Sequence, residues 1–311
     1  MMDQAKLTGW SVEQRRALVA GVRDLVADEP GPRAQDALAL AQEVLGPWPE
    51  QGQPEDFAVF CGSPWAEVAL VALMVTACLK SDGLSVADAE RVSAYAAVMG
   101  TDRVWTQALR HAARGRGHRI SMALARRAPD GRRLLQDAWR QRGPLVVIDI
   151  IRSMTGRTKA DPVLAQRFAA FGQLPDGSVG RAFCTHLTER QIPLPGEPGG
   201  LLEAAIHHDL MHTLTGYDTD PAGECKVAGF YAGMLYPGWP AWILAVLTTF
   251  ELGLRVGPSF TVPTRHAFDL RQVWAAAQRG YNANVRPLDE GWDYRPLMTM
   301  DLQEARQQLR L

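Results

Sequence analysis

Two imidazoles and two carboxylates fall within seventeen residues: His208, Asp209 and His212, then Glu224 after an eleven-residue gap. Neutral imidazole nitrogen with carboxylate oxygen is a ligand set that suits zinc, with non-haem iron as the main rival. Histidines at i and i+4 of a helix stand one turn apart on one face. Asp209 lies roughly a quarter turn away in angle. It could bind the ion, support His208 from behind, or act as the base beside the metal. Asp209 and Glu224 are therefore candidate catalytic groups as well as candidate ligands. A lone helical histidine is usually structural or solvated, whereas two at this spacing beside an aspartate favour a site. His207 is the internal control, since it points about a quarter turn from His208 and reads as a bystander.

The elements that must position these groups are two helices. Leu201 to Ile206 holds strong helix formers and no breaker, so the helix is expected to run from there through His212. Gly216 is placed to cap its C-terminus. Asp220-Pro221 reads as an N-cap followed by proline at the first helical position, which starts the second helix near Pro221. Glu224, Val227, Ala228, Tyr231, Ala232 and Leu235 then share one helical stripe. A carboxylate in line with a core-facing stripe is costly unless paired, protonated or bound to a metal. Gly229 and Gly233, on another side, would permit close approach of a third element.

The pattern His208-Asp209, His212, Glu224 resembles the signature of the Coq-four family of ubiquinone-biosynthesis proteins, H-D-x-x-H, eleven residues, then E. Leu174-Pro175-Asp176-Gly177-Ser178-Val179-Gly180-Arg181-Ala182-Phe183 is similar to a second block of that family, and Trp292-Asp293 with Asp301-Leu302 to Arg306 is similar to its closing block. The resemblance spans about residues 117 to 311. It implies an all-α fold, a multi-helix orthogonal bundle with a groove for an apolar tail, and homodimerisation. It also implies action at ring carbon one of a prenylated aromatic acid, by decarboxylation with hydroxylation, in ubiquinone (coenzyme Q) assembly. The chain would then be a metal-dependent decarboxylase or lyase, with zinc or alternatively iron as its ion. The rival reading is a non-catalytic, lipid-binding scaffold for quinone-biosynthesis enzymes, or a relative acting on another aromatic or polyketide-like acid. The motif is not H-E-x-x-H, which argues against a zinc protease.

Composition narrows the classes. Hydrophobic residues make up 47% and charged residues 22% of the 311 positions, the balance of a soluble globular protein. A net charge of −1 gives no global field toward nucleic acid or an acidic membrane. Cys61, Cys78, Cys184 and Cys225 form no C-x-x-C pair and read as reduced thiols of a cytoplasmic chain. Cys225 is better read as core than as a soft ligand. The N-terminus shows no apolar leader. The apolar run from Trp239 to Phe250 is too short to cross a bilayer, which leaves only peripheral membrane contact. A prenylated aromatic or lipid-like molecule and other biosynthetic enzymes are the partners the resemblance implies; nucleic acid is not among them.

Taken in order, Ser11 and Gln14 form a capping box for a helix to about Val26. A second helix is expected from about Ala34 to Leu45, then a loop from Trp48 to Ser63. An apolar helix runs from Pro64 to Leu79, and Ser85 caps another through Met99. This helix, acidic glycine loop and helix are weakly similar to the unit of TerB-like tellurite-resistance domains. Asp82, Asp88 and Glu90 could bind a cation there, although solvated helix-start acids are the better reading. The basic stretch Arg114, Arg116, His118, Arg119, Arg126, Arg127, Arg132 and Arg133 lacks interleaved aromatics, which argues against single-stranded nucleic acid. It reads as a solvated face, with an anionic head-group contact as the functional alternative. The domain boundary falls near Gly115-Arg116-Gly117, giving an N-terminal helical domain, 1–116, and a metal-binding domain, 117–311. Leu145 to Ile151 reads as buried helix. Further helices are expected from Asp161-Pro162 to Gln173, Arg181 to Arg190, Ala241 to Leu254, Ala267 to Arg279, and from Asp301. The runs Leu145–Ile151 and Trp239–Phe250 are the candidates to line an apolar groove.

Overall fold

The computed structural model describes residues 9–28, 31–101, 103–127, 152, 156–256, 262–289 and 291–311. Leu145 to Ile151, and Arg132 and Arg133 of the basic stretch, lie outside them. Among the described residues the fold is all-α; only two isolated bridges, Ser178 to Asp301 and Leu252 to Arg265, depart from helix and turn. The chain divides into two compact units. One holds residues 1–124, 243–256 and 263–271, and the other 125–242, 257–262 and 272–311.

The first unit begins with α1 (Val12–Val26). Ser11 Oγ accepts from the Gln14 amide at 3.2 Å while the Gln14 side chain accepts from the Ser11 amide at 3.1 Å, so both halves of the capping box form. α2 (Pro32–Leu45) starts two residues earlier than the sequence suggests, because Pro32 itself takes the first helical position after Gly31. The expected loop before Ser63 contains a 3-10 helix, Pro54–Phe60, started by Pro54 and by Asp56 accepting from the Gln53 amide. It buries Phe57 and Phe60 completely. α3 (Ala66–Cys78) is apolar all round and buried along most of its length, as such a helix must be. α4 (Val86–Met99), α5 (Arg103–Ala113) and α6 (Gly117–Arg127) follow. Tyr95 of α4 packs its ring 4.5 Å from that of Phe57. Its hydroxyl donates to Asp24 at 2.9 Å and to the Gly52 carbonyl at 3.2 Å.

In the second unit, Asp161 caps α7 (Pro162–Phe171) and Ser178 caps α8 (Val179–Glu189). The expected helix from Leu201 does not form as one piece. A 3-10 turn, Glu203–Ala205, precedes α9 (Ile206–Thr215). Glu203 is held there by the Tyr294 hydroxyl and by Arg167, each at 2.7 Å. α10 (Pro221–Gly233) starts as expected, with Asp220 accepting from the Gly223 amide. It stops short of Leu235, which is 38% exposed at φ 54° and so leaves the buried stripe.

α11 (Pro240–Val246) runs into a π-helical turn, Leu247–Glu251. α12 (Leu270–Asn282) starts later than the sequence suggests, and α13 (Arg295–Met298) and α14 (Leu302–Leu309) end the chain. The third element that approaches α10 is α12. A methyl group at Gly229 would meet the Val273 carbonyl at 2.6 Å, and one at Gly233 the Ala277 carbonyl at 1.9 Å. The core around α8, α9 and α10 is built from Phe168, Phe183, Leu187, Leu210, Met211, Leu214 and Phe230. No described helix is long and apolar enough to cross a membrane.

Candidate metal centre

α9 and α10 meet so that His208, His212 and Glu224 converge, with one donor atom from each lying within 4.8 Å of the others. His208 Nε2 and His212 Nε2 are 3.2 Å apart. Glu224 sets one carboxylate oxygen 3.3 Å from His208 Nε2 and the other 3.4 Å from His212 Nε2. Four ligands at zinc-like bonds of about 2.1 Å define a tetrahedron with edges of about 3.4 Å. The donor spacing therefore has the size that a small divalent cation would require.

The orientation of the rings also fits. His212 is fully buried, with its Nδ1 3.2 Å from the Tyr217 carbonyl. That contact turns Nε2 toward His208 and Glu224. An imidazole whose other nitrogen donates to a carbonyl is the usual form of a metal-ligating histidine. Burial pushes the Glu224 carboxyl up, and the adjacent His208 and His212 more than reverse this, holding it well below the usual carboxylate range. The carboxylate is thus an anion at neutral pH. The side chains grade from closed to open: His212 is fully covered, Glu224 is 25% exposed and His208 42% exposed.

Asp209, expected as a fourth ligand, is outside this donor group. One residue on from His208 it is turned by about 100° about the helix axis, away from the line that joins His208 and His212. Burial raises its carboxyl pKa, against the pull of the same two imidazoles. His207 behaves as the control. Its Nδ1 and carbonyl oxygen each lie 3.0 Å from the Tyr231 hydroxyl, a closed pair of hydrogen bonds in the core. Cys225 is buried, as core packing suggests.

Tyr231, on the stripe of Glu224, lies parallel to the His208 ring at 6.4 Å and packs against Trp242 at 5.0 Å, so buried aromatic packing backs the exposed ligand. Other neighbours carry no signal in the sequence. His186 stacks on His212 with ring centroids 5.9 Å apart. Burial, then Arg190 and His212, lower its pKa to about 4, and its Nε2 is buried without a hydrogen-bond partner. A cavity of about 490 Å³ lies between α8 and the end of α9, lined by His186, Arg181, Arg190, Asp218 and Tyr217 among others. It reaches His212 but neither His208 nor Glu224. Its charged lining does not suit an apolar tail. In the run from Trp239 to Phe250 most side chains are buried and the rest half-buried.

Of the other acidic candidates, Asp82 is exposed and Asp88 and Glu90 are occupied. Asp88 is buried, 2.8 Å from Lys80 Nζ and bonded to Ser85. Glu90 accepts a fork of hydrogen bonds from Arg110. The two blocks that accompany the histidine motif in the sequence meet in space. The Val179 amide donates to the Met300 carbonyl at 2.9 Å and the Leu302 amide to the Gly177 carbonyl at 2.8 Å. No protein-family model and no curated protein matches the chain.

Proposed function

We propose that this chain is a metal-dependent enzyme, with zinc held by His208, His212 and Glu224, acting as a decarboxylase or lyase on an aromatic acid. The convergence of three donors with one exposed edge carries the reading. Catalytic zinc sites use three protein ligands and leave a position open, whereas structural ones are closed by four. That count favours an enzyme over a scaffold.

A cation there supplies a Lewis acid that can polarise a substrate carboxylate or phenolate. The chain's own residues do the rest. The Tyr217 carbonyl, 3.2 Å from His212 Nδ1, orients the ring so that Nε2 faces the site. Glu224 stays ionised. Trp242, half-buried against Tyr231, would offer an aromatic contact to a ring bound near the His208 edge. Asp209, raised in pKa by burial, is the candidate proton carrier. Replacing a ring carboxyl by a proton requires no electron acceptor and suits zinc. Replacing it by a hydroxyl consumes an oxidant and would require iron and dioxygen. The similarity of the three sequence blocks to the Coq-four family supports a prenylated 4-hydroxybenzoate-type precursor as the substrate.

The test is metal analysis of chain purified without chelator, with mass spectrometry of co-purified small molecules and an assay for carbon dioxide release. About one zinc or iron per chain is expected, falling together with activity in His212→Ala and Glu224→Ala. Metal lost with activity retained would sink the enzyme reading in favour of the scaffold.

A further inference from the structure

The end of α9 is framed by residues from distant parts of the chain. Gly216, at φ 76°, terminates the helix, and its amide returns to the His212 carbonyl at 2.9 Å. The last carbonyls of a helix lack intrahelical donors. Here Arg306 of α14 donates from Nε to the Leu214 carbonyl at 2.8 Å and from Nη2 to the Thr213 carbonyl at 3.2 Å. Arg279 of α12 donates from both terminal nitrogens to the Thr215 carbonyl at 3.3 Å. Two guanidinium charges thus sit at the negative end of the helix that carries both histidines.

Arg279 does more. Its guanidinium lies over the Tyr217 ring, 4.9 Å from the centroid, and Lys226 Nζ lies 5.6 Å from the same centroid. Tyr217 is the residue whose backbone carbonyl faces His212 Nδ1.

We propose that Arg279 and Arg306 are positioning residues for the metal centre: they fix the last turn of α9 and the Tyr217 backbone, and so hold the His212 ring with Nδ1 toward the Tyr217 carbonyl and Nε2 toward His208 and Glu224. The proposal rests on the metal reading above. If the Tyr217 carbonyl drifts, the His212 ring loses the partner that faces its Nδ1, and nothing then holds its Nε2 at 3.2 Å from His208 Nε2 and 3.4 Å from Glu224. A lysine cannot replace Arg306 fully, because one ammonium does not reproduce a planar fork spanning two successive carbonyls.

The test uses the full chain and zinc alone. Zinc affinity is read by competition with a chromophoric chelator, the ligand field by the visible spectrum after cobalt substitution, and helix content by circular dichroism. Arg279→Ala and Arg306→Ala should each weaken zinc by about 10- to 100-fold, shift the cobalt bands and leave helix content unchanged. Arg306→Lys should recover part of the affinity. Folded alanine variants with wild-type affinity and cobalt spectrum would overturn the proposal alone. If an alanine variant does not fold, Tyr217→Leu, which keeps the carbonyl but removes the ring under Arg279, decides together with Arg306→Lys. Both should weaken zinc, and wild-type affinity in both overturns the frame. A wild-type chain that takes up neither zinc nor iron removes the metal reading and this proposal with it.

Discussion

His207 and His208 are adjacent in sequence, yet one is tied into the core and the other stands 42% exposed at the donor cluster. His207→Ala should therefore keep its metal. It should lose roughly 1–3 kcal/mol of stability, as a buried hydrogen bond to Tyr231 is broken. Urea unfolding and metal analysis on the same sample separate the two effects; metal loss from this variant would contradict the assignment of roles. His208, His212 and Glu224 were legible in the sequence because helical periodicity brings i and i+4 together and a cap fixes where the second helix starts. Asp209 lies outside the donor group, since adjacency in sequence turns a side chain by about 100° about the helix axis. Tyr217 was not legible at all: it contributes a backbone carbonyl, which every residue has.

At the scale of elements, local chemistry was readable and distant chemistry was not. The caps at Ser11, Ser85, Asp161 and Asp220 all form, because each needs only residues within one turn, whereas the helix expected from Arg181 starts at Val179 with Ser178 as its cap. The π-helical turn is different. Glu251, 1% exposed, ends it, and its partner Arg33 lies 218 positions earlier. Arg33 forks onto both Glu251 oxygens, one of them at 2.7 Å, and donates to the Phe268 carbonyl at 2.7 Å. Nothing near Glu251 in the sequence announces Arg33. Arg33→Met should cost about 3–5 kcal/mol, since it breaks a buried ion pair and leaves Glu251 with His266, 3.2 Å away, as its remaining charged neighbour. A chemical-denaturation midpoint close to wild type would show the pair to be dispensable. Asp220→Ala offers a milder contrast at about 1 kcal/mol, together with weaker metal binding, because Glu224 sits in the turn that Asp220 caps.

At the scale of the whole chain, a boundary drawn from glycines near residue 117 sees only contiguous sequence. The first unit also takes in residues 243–256 and 263–271, a return of the chain that no linear reading of composition could reveal. His208, His212 and Glu224, the three proposed metal donors, belong to the other unit. Zinc should therefore stabilise that unit, by about 2.7 kcal/mol at a free concentration one hundred times the dissociation constant. A calorimetric scan with and without zinc should show a shifted transition, and the shift should vanish in His212→Ala. A shift of equal size in that variant would mean that zinc acts elsewhere.

The seam between α10 and α12 has a consequence for how this chain can vary. At Gly229, Gly233 and Gly280 an added methyl would run into backbone carbonyls of the opposing helix, at 2.6, 1.9 and 1.8 Å. Backbone cannot step aside as a side chain can. The helix that aims Glu224 is thus mounted on its neighbour main chain to main chain, and one atom of growth at any of the three tilts the mount. Mutational drift at the centre is free to retune the exposed flank around His208 and Trp242, while the bearing behind Glu224 admits no heavier residue.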